Sequence, residues 1–214
     1  MKPLSLIVGN LGVNCYIPYC EETGQCAIID PGDKADKILG LVQKNKLHPK
    51  YILLTHGHFD HIGAVKELKD KTGAQIGIHP GDAPMLLDPA KNLSIFTGGE
   101  TVQVQADLMV EDGMILQIGN IHLKAIHTPG HTAGGLCYLG GGVLFTGDTL
   151  FAGSVGRTDL PGGSHSILIR SIQEKLMILQ DDLVIYPGHG GFSTLGQERI
   201  SNPFLQAGED LDFE

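Results

Sequence analysis

Residues 53–61 read L-L-T-H-G-H-F-D-H, and four side chains able to bind a metal, His56, His58, Asp60 and His61, fall within six positions. An apolar run over residues 51–54 leads into them and reads as a buried strand. On an extended segment side chains alternate between faces, so His56 and His58 point the same way and can grip one metal ion. A helix expected over residues 62–72 would bring Asp60 and His61 round to a neighbouring position, which suggests a second ion. Asp60 as a helix N-cap with the histidines as loop residues is the plainer alternative, but it uses one Asp and explains no imidazole.

Upstream, residues 4–8, 14–19 and 25–29 read as strands separated by Gly, Asn and Glu-Thr-Gly turns. A helix is expected from about 34 to 46, capped by Asp33 and ended by Pro49. Downstream, residues 75–78 form a short strand and 84–87 a short helical or loop segment. Residues 107–138 alternate and are rich in turns, so a second antiparallel run is expected, with hairpins at Asp112-Gly113 and Gly119-Asn120. A strand over 143–145, a helix over 164–180 and a final strand over 183–186 complete the pattern. Strand runs in both halves, with helices after them, imply an α+β fold: a four-layer αββα sandwich of two mixed sheets with helices on the outer faces. No linker or repeat divides the chain, so residues 1–214 are expected to form one domain.

The chain has 214 residues, 42% hydrophobic and 18% charged, enough to bury a sizeable core. A net charge of -9 and unclustered Lys and Arg argue against nucleic acid as a partner. The apolar runs are too short for a membrane span or a signal peptide, so no membrane association and a cytoplasmic location are expected. Cys15, Cys20, Cys26 and Cys137 lack C-x-x-C spacing and are expected as buried free thiols. The expected assembly is a monomer or small homo-oligomer.

Three more segments carry ligand-type residues. His131 lies in T-P-G-H-T, where Pro129 and Gly130 make a tight turn past a strand. His127 competes with it, although it reads as the end of that strand. Asp148 follows an apolar run in T-G-D-T, and His189 sits in Y-P-G-H-G, the same strand, Pro-Gly, His arrangement as His131. His48, His79, His122 and His165 have no partner pattern.

In order, I-I-D-P-G (28–32), T-H-G-H-F-D-H, T-P-G-H-T, T-G-D-T and Y-P-G-H-G resemble the motif set of the metallo-β-lactamase fold superfamily, across about residues 4–190. F-T-G-D-T-L-F-A-G-S-V-G-R-T-D-L-P-G-G (145–163) and S-N-P-F-L (201–205) resemble its glyoxalase II, or hydroxyacylglutathione hydrolase, branch in its short forms. The resemblance implies one metal on His56, His58 and His131, a second on Asp60, His61 and His189, and Asp148 bridging them. Asp60 would also orient the attacking water, and Asp30 would orient a ligand from behind. Two divalent ions are implied, zinc first, with iron or manganese fitting the same donors. The substrate implied is a small-molecule acyl thioester such as S-D-lactoylglutathione, hydrolysed by hydroxide held between the metals, with Arg157 and Phe151 as substrate contacts.

Departures from that branch are specific. Its full-length members carry a further helical domain, which is not expected here, and read G-K-x-Y where this chain has Gly156-Arg157-Thr158-Asp159. Persulfide dioxygenases resemble glyoxalase II and share the G-R-T-D segment, so oxidation of glutathione persulfide at a single iron is the alternative activity. Lactone or other ester hydrolysis is a further one.

Overall fold

A computed structural model describes residues 1–97 and 101–206. The first sheet orders β1 (Leu4–Val8), β2 (Val13–Ile17), β3 (Gln25–Ile29), β4 (His48–Leu53), β5 (Gln75–Ile78) and β6 (Leu108–Met109) as they occur in the chain. Pairing is antiparallel across β1–β2–β3 and parallel from β3 to β6. The second sheet runs β14 (Ser193–Thr194), β13 (Val184–Pro187), β10 (Val143–Gly147), β9 (Leu136–Gly140), β8 (Ile121–His127) and β7 (Ile115–Ile118). It is antiparallel except between β10 and β13. A small hairpin, β11 (Leu150–Phe151) and β12 (Ser154–Val155), follows β10.

Residue alternation along these strands makes three cores from two sheets. Ile28, Ile52 and Ile76 face outward onto α1 (Ala35–Lys44) and α3 (Val65–Thr72), meeting Ile38, Val42 and Leu68. Their strand neighbours Ala27, Ile29 and Leu53 face inward and pack with Leu123, Tyr138 and Phe145 between the sheets. On the far side Cys137, Leu144 and Ile185 pack against Leu168 of α5 (His165–Ser171) and against Ile172 and Leu176 of the π-helical turn that continues it. Each fully buried Ile or Leu contributes about 1.5–3 kcal/mol, so a one-residue register slip in β4 would forfeit several of these at once. The expected αββα sandwich is the observed fold.

Several boundaries differ from the sequence expectation. Asp33 is not the cap of α1; its carboxylate accepts from the Lys34 amide, and Lys34, in a left-handed conformation, occupies the cap position. The helix expected at 62 begins earlier, as α2 (Phe59–Ile62), and breaks before α3, where the Ala64 amide donates to the Pro31 carbonyl at 2.9 Å; only glycine fits at 63, since a Cβ would stand 2.2 Å from the Gly32 carbonyl. Asp112-Gly113 is not a hairpin, since β6 belongs to the first sheet and β7 to the second, and the turn carries the chain across. The final strand is β14, not β13, followed by α6 (Leu195–Ser201) and α7 (Pro203–Gln206). A short α4 (Ala83–Leu87) stands where a helical segment was expected. All four cysteines are free and buried. Among the described residues no helix is long and apolar enough to cross a membrane.

Candidate metal centre

Strands β4, β8, β10 and β13 all end on one edge of the sandwich, and the segment after each carries a site residue. The two sheets are tied there by polar contacts: the Leu136 amide donates to Thr55 O at 2.7 Å, Tyr138 OH to Leu54 O at 2.8 Å and Tyr16 OH to Pro187 O at 2.7 Å. Seven residues predicted from sequence, His56, His58, Asp60, His61, His131, Asp148 and His189, meet at this edge. Their donor atoms form three overlapping groups, His56/His58/His131, His56/His61/Asp148 and Asp60/His61/His189, each within 4.8 Å.

Four of the five imidazoles are oriented from behind. His131 Nδ1 donates to the Arg157 carbonyl at 2.7 Å, His189 Nδ1 to the Leu11 carbonyl at 3.1 Å and His61 Nδ1 to Asp30 Oδ2 at 3.0 Å. Thr55 Oγ1 donates to Asp30 Oδ2 at 2.6 Å, which leaves it to accept from His56 Nδ1 at 3.1 Å. Each outer nitrogen is thereby committed as a donor, and each Nε2 is turned inward. Asp30 serves both His56, through Thr55, and His61 directly; its second oxygen accepts from the Thr55 amide at 2.8 Å.

The inward atoms suit cations and little else. His131 Nε2 stands 3.3 Å from His56 Nε2 and 3.0 Å from His58 Nδ1, so lone pairs face each other. Burial, then mutual repulsion among the imidazoles, pushes the pKa of His56 well down and that of His58 to about 3, which keeps both neutral and able to donate a lone pair. Around His61 the balance reverses. Burial lowers its pKa, but Asp148, Asp30 and Asp60 outweigh burial and lift it to about 10. Burial likewise raises the Asp60 pKa, but the hydrogen bond from His189 and the charge of His61 outweigh it and hold the carboxyl at about 2. Asp148 lies between the groups: Oδ1 is 3.4 Å from His61 Nε2, and Oδ2 is 3.7 Å from His131 Nε2 and 3.6 Å from His189 Nε2. His61 Nε2 and Asp148 Oδ1 are buried without a hydrogen-bond partner, two orphaned atoms aimed at one another's neighbourhood. Gly188 allows this approach, since a Cβ there would stand 2.3 Å from Asp148 Oδ1.

His127, the competing residue, turns away; its Nε2 donates to the Ala133 carbonyl at 2.9 Å and its ring stacks on His79. Phe151 stands edge-on to His189, ring centroids 6.2 Å apart. The Arg157 guanidinium is held by both oxygens of Asp159, at 2.8 and 2.7 Å, and it is the backbone carbonyl of Arg157 that reaches the site.

Asp82 is the residue that sequence reasoning missed. It is buried, and its carboxylate accepts from the Gly57 amide at 3.1 Å, Thr132 Oγ1 at 2.7 Å and the Gly134 amide at 2.7 Å. It thus braces the His56–His58 loop against the His131 loop. The H-P-G-D turn that carries it was visible, but its partners lie 25, 50 and 52 residues away.

Comparison with known proteins gives one family and a consistent set of relatives. The family model described as metallo-beta-lactamase superfamily matches residues 8–189. Hydroxyacylglutathione hydrolase GloC of Haemophilus influenzae is 38% identical, over 91% of this chain and 93% of its own. Among solved structures, BLEG-1 B3 metallo-beta-lactamase superposes with a TM-score of 0.91 at 37% identity, covering 96% of this chain and 100% of that one. TTHA1623 in a di-iron-bound form gives 0.83 at 37% identity over the same shares. ETHE1 from Myxococcus xanthus gives 0.79 at 29% identity, over 95% of this chain and 84% of that one.

Proposed function

The chain belongs to the metallo-beta-lactamase superfamily, and from that membership we propose that it is a metal-dependent hydrolase of acyl thioesters, with S-D-lactoylglutathione as the test substrate. The observation that carries the reading is the sharing of Asp148 between a three-histidine group and the Asp60/His61/His189 group. His56, His58 and His131 would hold one divalent ion, Asp60, His61 and His189 a second, and Asp148 would serve both. Zinc is our first choice, with iron or manganese suited to the same donors. When bound, two such ions supply Lewis acidity that makes a water acidic near neutral pH and polarises a carbonyl.

The chain's own residues supply the rest. His56, His58, His61 and His131 are buried, whereas the side chains of Asp60, Asp148 and His189 keep 15%, 13% and 28% of their surface exposed, so the site opens on that side. An open side distinguishes a catalytic arrangement from a closed structural one. Asp60, ionised at neutral pH, accepts a hydrogen bond from water entering there and orients it. In the reaction the water oxygen bonds the acyl carbon, the carbon–sulfur bond breaks with its electrons on sulfur, and of the water's two protons one is released to solvent and one is balanced by the proton the departed thiolate takes up, leaving a carboxylate and a thiol. A thiolate leaves without a strong general acid, which agrees with a site whose five imidazoles would all be taken up by the metal ions.

The H. influenzae relative's name supports the thioester reading over lactone or β-lactam hydrolysis. Oxidation of glutathione persulfide at a single iron is the second reading, favoured by one observation: Gly156–Asp159, the G-R-T-D segment, abuts the three-histidine group through the Arg157 carbonyl. A metal-counted preparation assayed against S-D-lactoylglutathione and glutathione persulfide side by side separates them. Thioester turnover supports the first reading; persulfide-dependent oxygen uptake without thioester turnover supports the second.

A further inference from the structure

Glu198 is 2% exposed, yet it lies on α6, a short surface helix, and forms no ion pair among the described residues. A buried carboxylate without a cation costs several kcal/mol unless hydrogen bonds replace its water. Here they do. Glu198 Oε2 accepts from the Gly153 amide at 2.8 Å and from Asn202 Nδ2 at 2.8 Å, and Oε1 accepts from Ser193 Oγ. Asn202, itself fully buried, donates its other proton to the Ser154 carbonyl at 3.0 Å, with the Phe151 carbonyl sharing at 3.5 Å.

These bonds converge on the β11–β12 hairpin. Its base is held by Leu150, which is fully buried and whose carbonyl accepts from Thr146 Oγ1 at 2.8 Å. Outside the hairpin's own pairing, the hydrogen bonds of its tip, residues 151–154, run to Glu198 and Asn202 among the described residues. The hairpin touches the metal centre in two places. Phe151 stands against His189, and two residues past β12 the Arg157 carbonyl takes the Nδ1 proton of His131. The chain between is tightly seated: a Cβ on Gly156 would stand 1.8 Å from the Asp148 carbonyl and 3.3 Å from His131 Nδ1.

We propose that Glu198 and Asn202 are positioning residues for the metal centre, clamping the β11–β12 hairpin so that Phe151 bounds the site and the Arg157 carbonyl fixes His131. The clamp depends on the metal-site reading above but not on which substrate is turned over. Hydrophobic residues of similar volume would fill the same space at less electrostatic cost, and would leave the tip's amide and carbonyls unbonded.

The test uses the full-length chain with Asn202→Ala and Glu198→Gln, and Leu195→Val as a control that loosens α6 without touching the hairpin's bonds. Amide hydrogen exchange at Gly153, zinc affinity by chelator competition, and KM and kcat on S-D-lactoylglutathione are measured for each. The expected result is exchange at Gly153 faster by about tenfold or more, zinc affinity lower by about tenfold, and KM raised about fivefold with kcat changed less. Adding Phe151→Leu to Asn202→Ala should raise KM no further than Phe151→Leu alone. Unchanged Gly153 exchange and zinc affinity, or equal effects in Leu195→Val, would overturn the clamp. Should wild-type protein bind two zinc ions and hydrolyse no thioester, the thioester reading fails while exchange and zinc affinity still decide the clamp.

Discussion

His56 Nε2 and His131 Nε2 face each other at 3.3 Å while the outer nitrogen of each ring is committed, one to Thr55 and one to Arg157. Two lone pairs at that distance repel, and a shared cation turns the repulsion into coordination. Replacing His131 with Ala should therefore remove one of two bound ions and lower turnover by about a thousandfold or more. His127→Ala, four residues away in sequence, should leave metal content unchanged. Elemental analysis of both variants checks this, and equal metal loss in the two would count against the assignment.

Asp82 joins the two loops that carry the three-histidine group. An Asn there keeps one acceptor oxygen and sets an NH₂ against the remaining donors, so Asp82→Asn should cost about 2 kcal/mol of stability and weaken zinc binding about tenfold. Chemical denaturation with and without zinc measures both effects. An unchanged zinc affinity would mean that the loops hold themselves.

Far from the site, Asp107 accepts from the Ile76 amide at 2.8 Å and pairs with Lys69. Burial raises its pKa, but the Lys69 and Ile76 bonds and the Lys69 charge together outweigh it, so the folded value lies below the ordinary one. A depressed carboxyl adds stability that is present above its unfolded pKa, about 3.9, and lost as pH falls through the folded one. Asp107→Asn should cost about 1 kcal/mol at pH 7 and converge on wild type as the pH falls through the depressed folded value. A constant difference across that range would contradict the sign.

Arg157 presents its side chain to Asp159 and only its carbonyl to the site. Arg157→Ala should keep full metal content. KM for an anionic thioester should rise no more than about threefold, since the exposed guanidinium is already neutralised. Asp159→Asn frees that cation and should lower KM for the same substrate. Steady-state kinetics on both variants decides it; loss of metal in Arg157→Ala would show that the side chain matters to the centre.

The ligands were legible because metal binding concentrates rare residue types at turns: His56, His58, Asp60 and His61 share one segment, and Pro-Gly pairs announce His131 and His189. The sandwich was legible because Ile28, Ile52 and Ile76 alternate with Ala27, Ile29 and Leu53 along their strands. What was not legible depends on contacts between distant segments. Asp33 looked like a cap, but its carboxylate accepts from the adjacent Lys34 amide, and Lys34, in a left-handed conformation, takes the position. Asp82 and Glu198 read as ordinary polar residues and Asn202 only as part of S-N-P-F-L, since their meaning resides in partners that only the fold brings near.

The central claim is that seven side chains from both sheets hold two cations together. Counting metal per chain in a preparation that hydrolyses S-D-lactoylglutathione tests it most directly, with Asp148→Asn measured alongside. We predict about two ions per wild-type chain and loss of both metal and turnover in the variant. An active preparation with one ion or none, or an Asp148→Asn protein that keeps two, would contradict it.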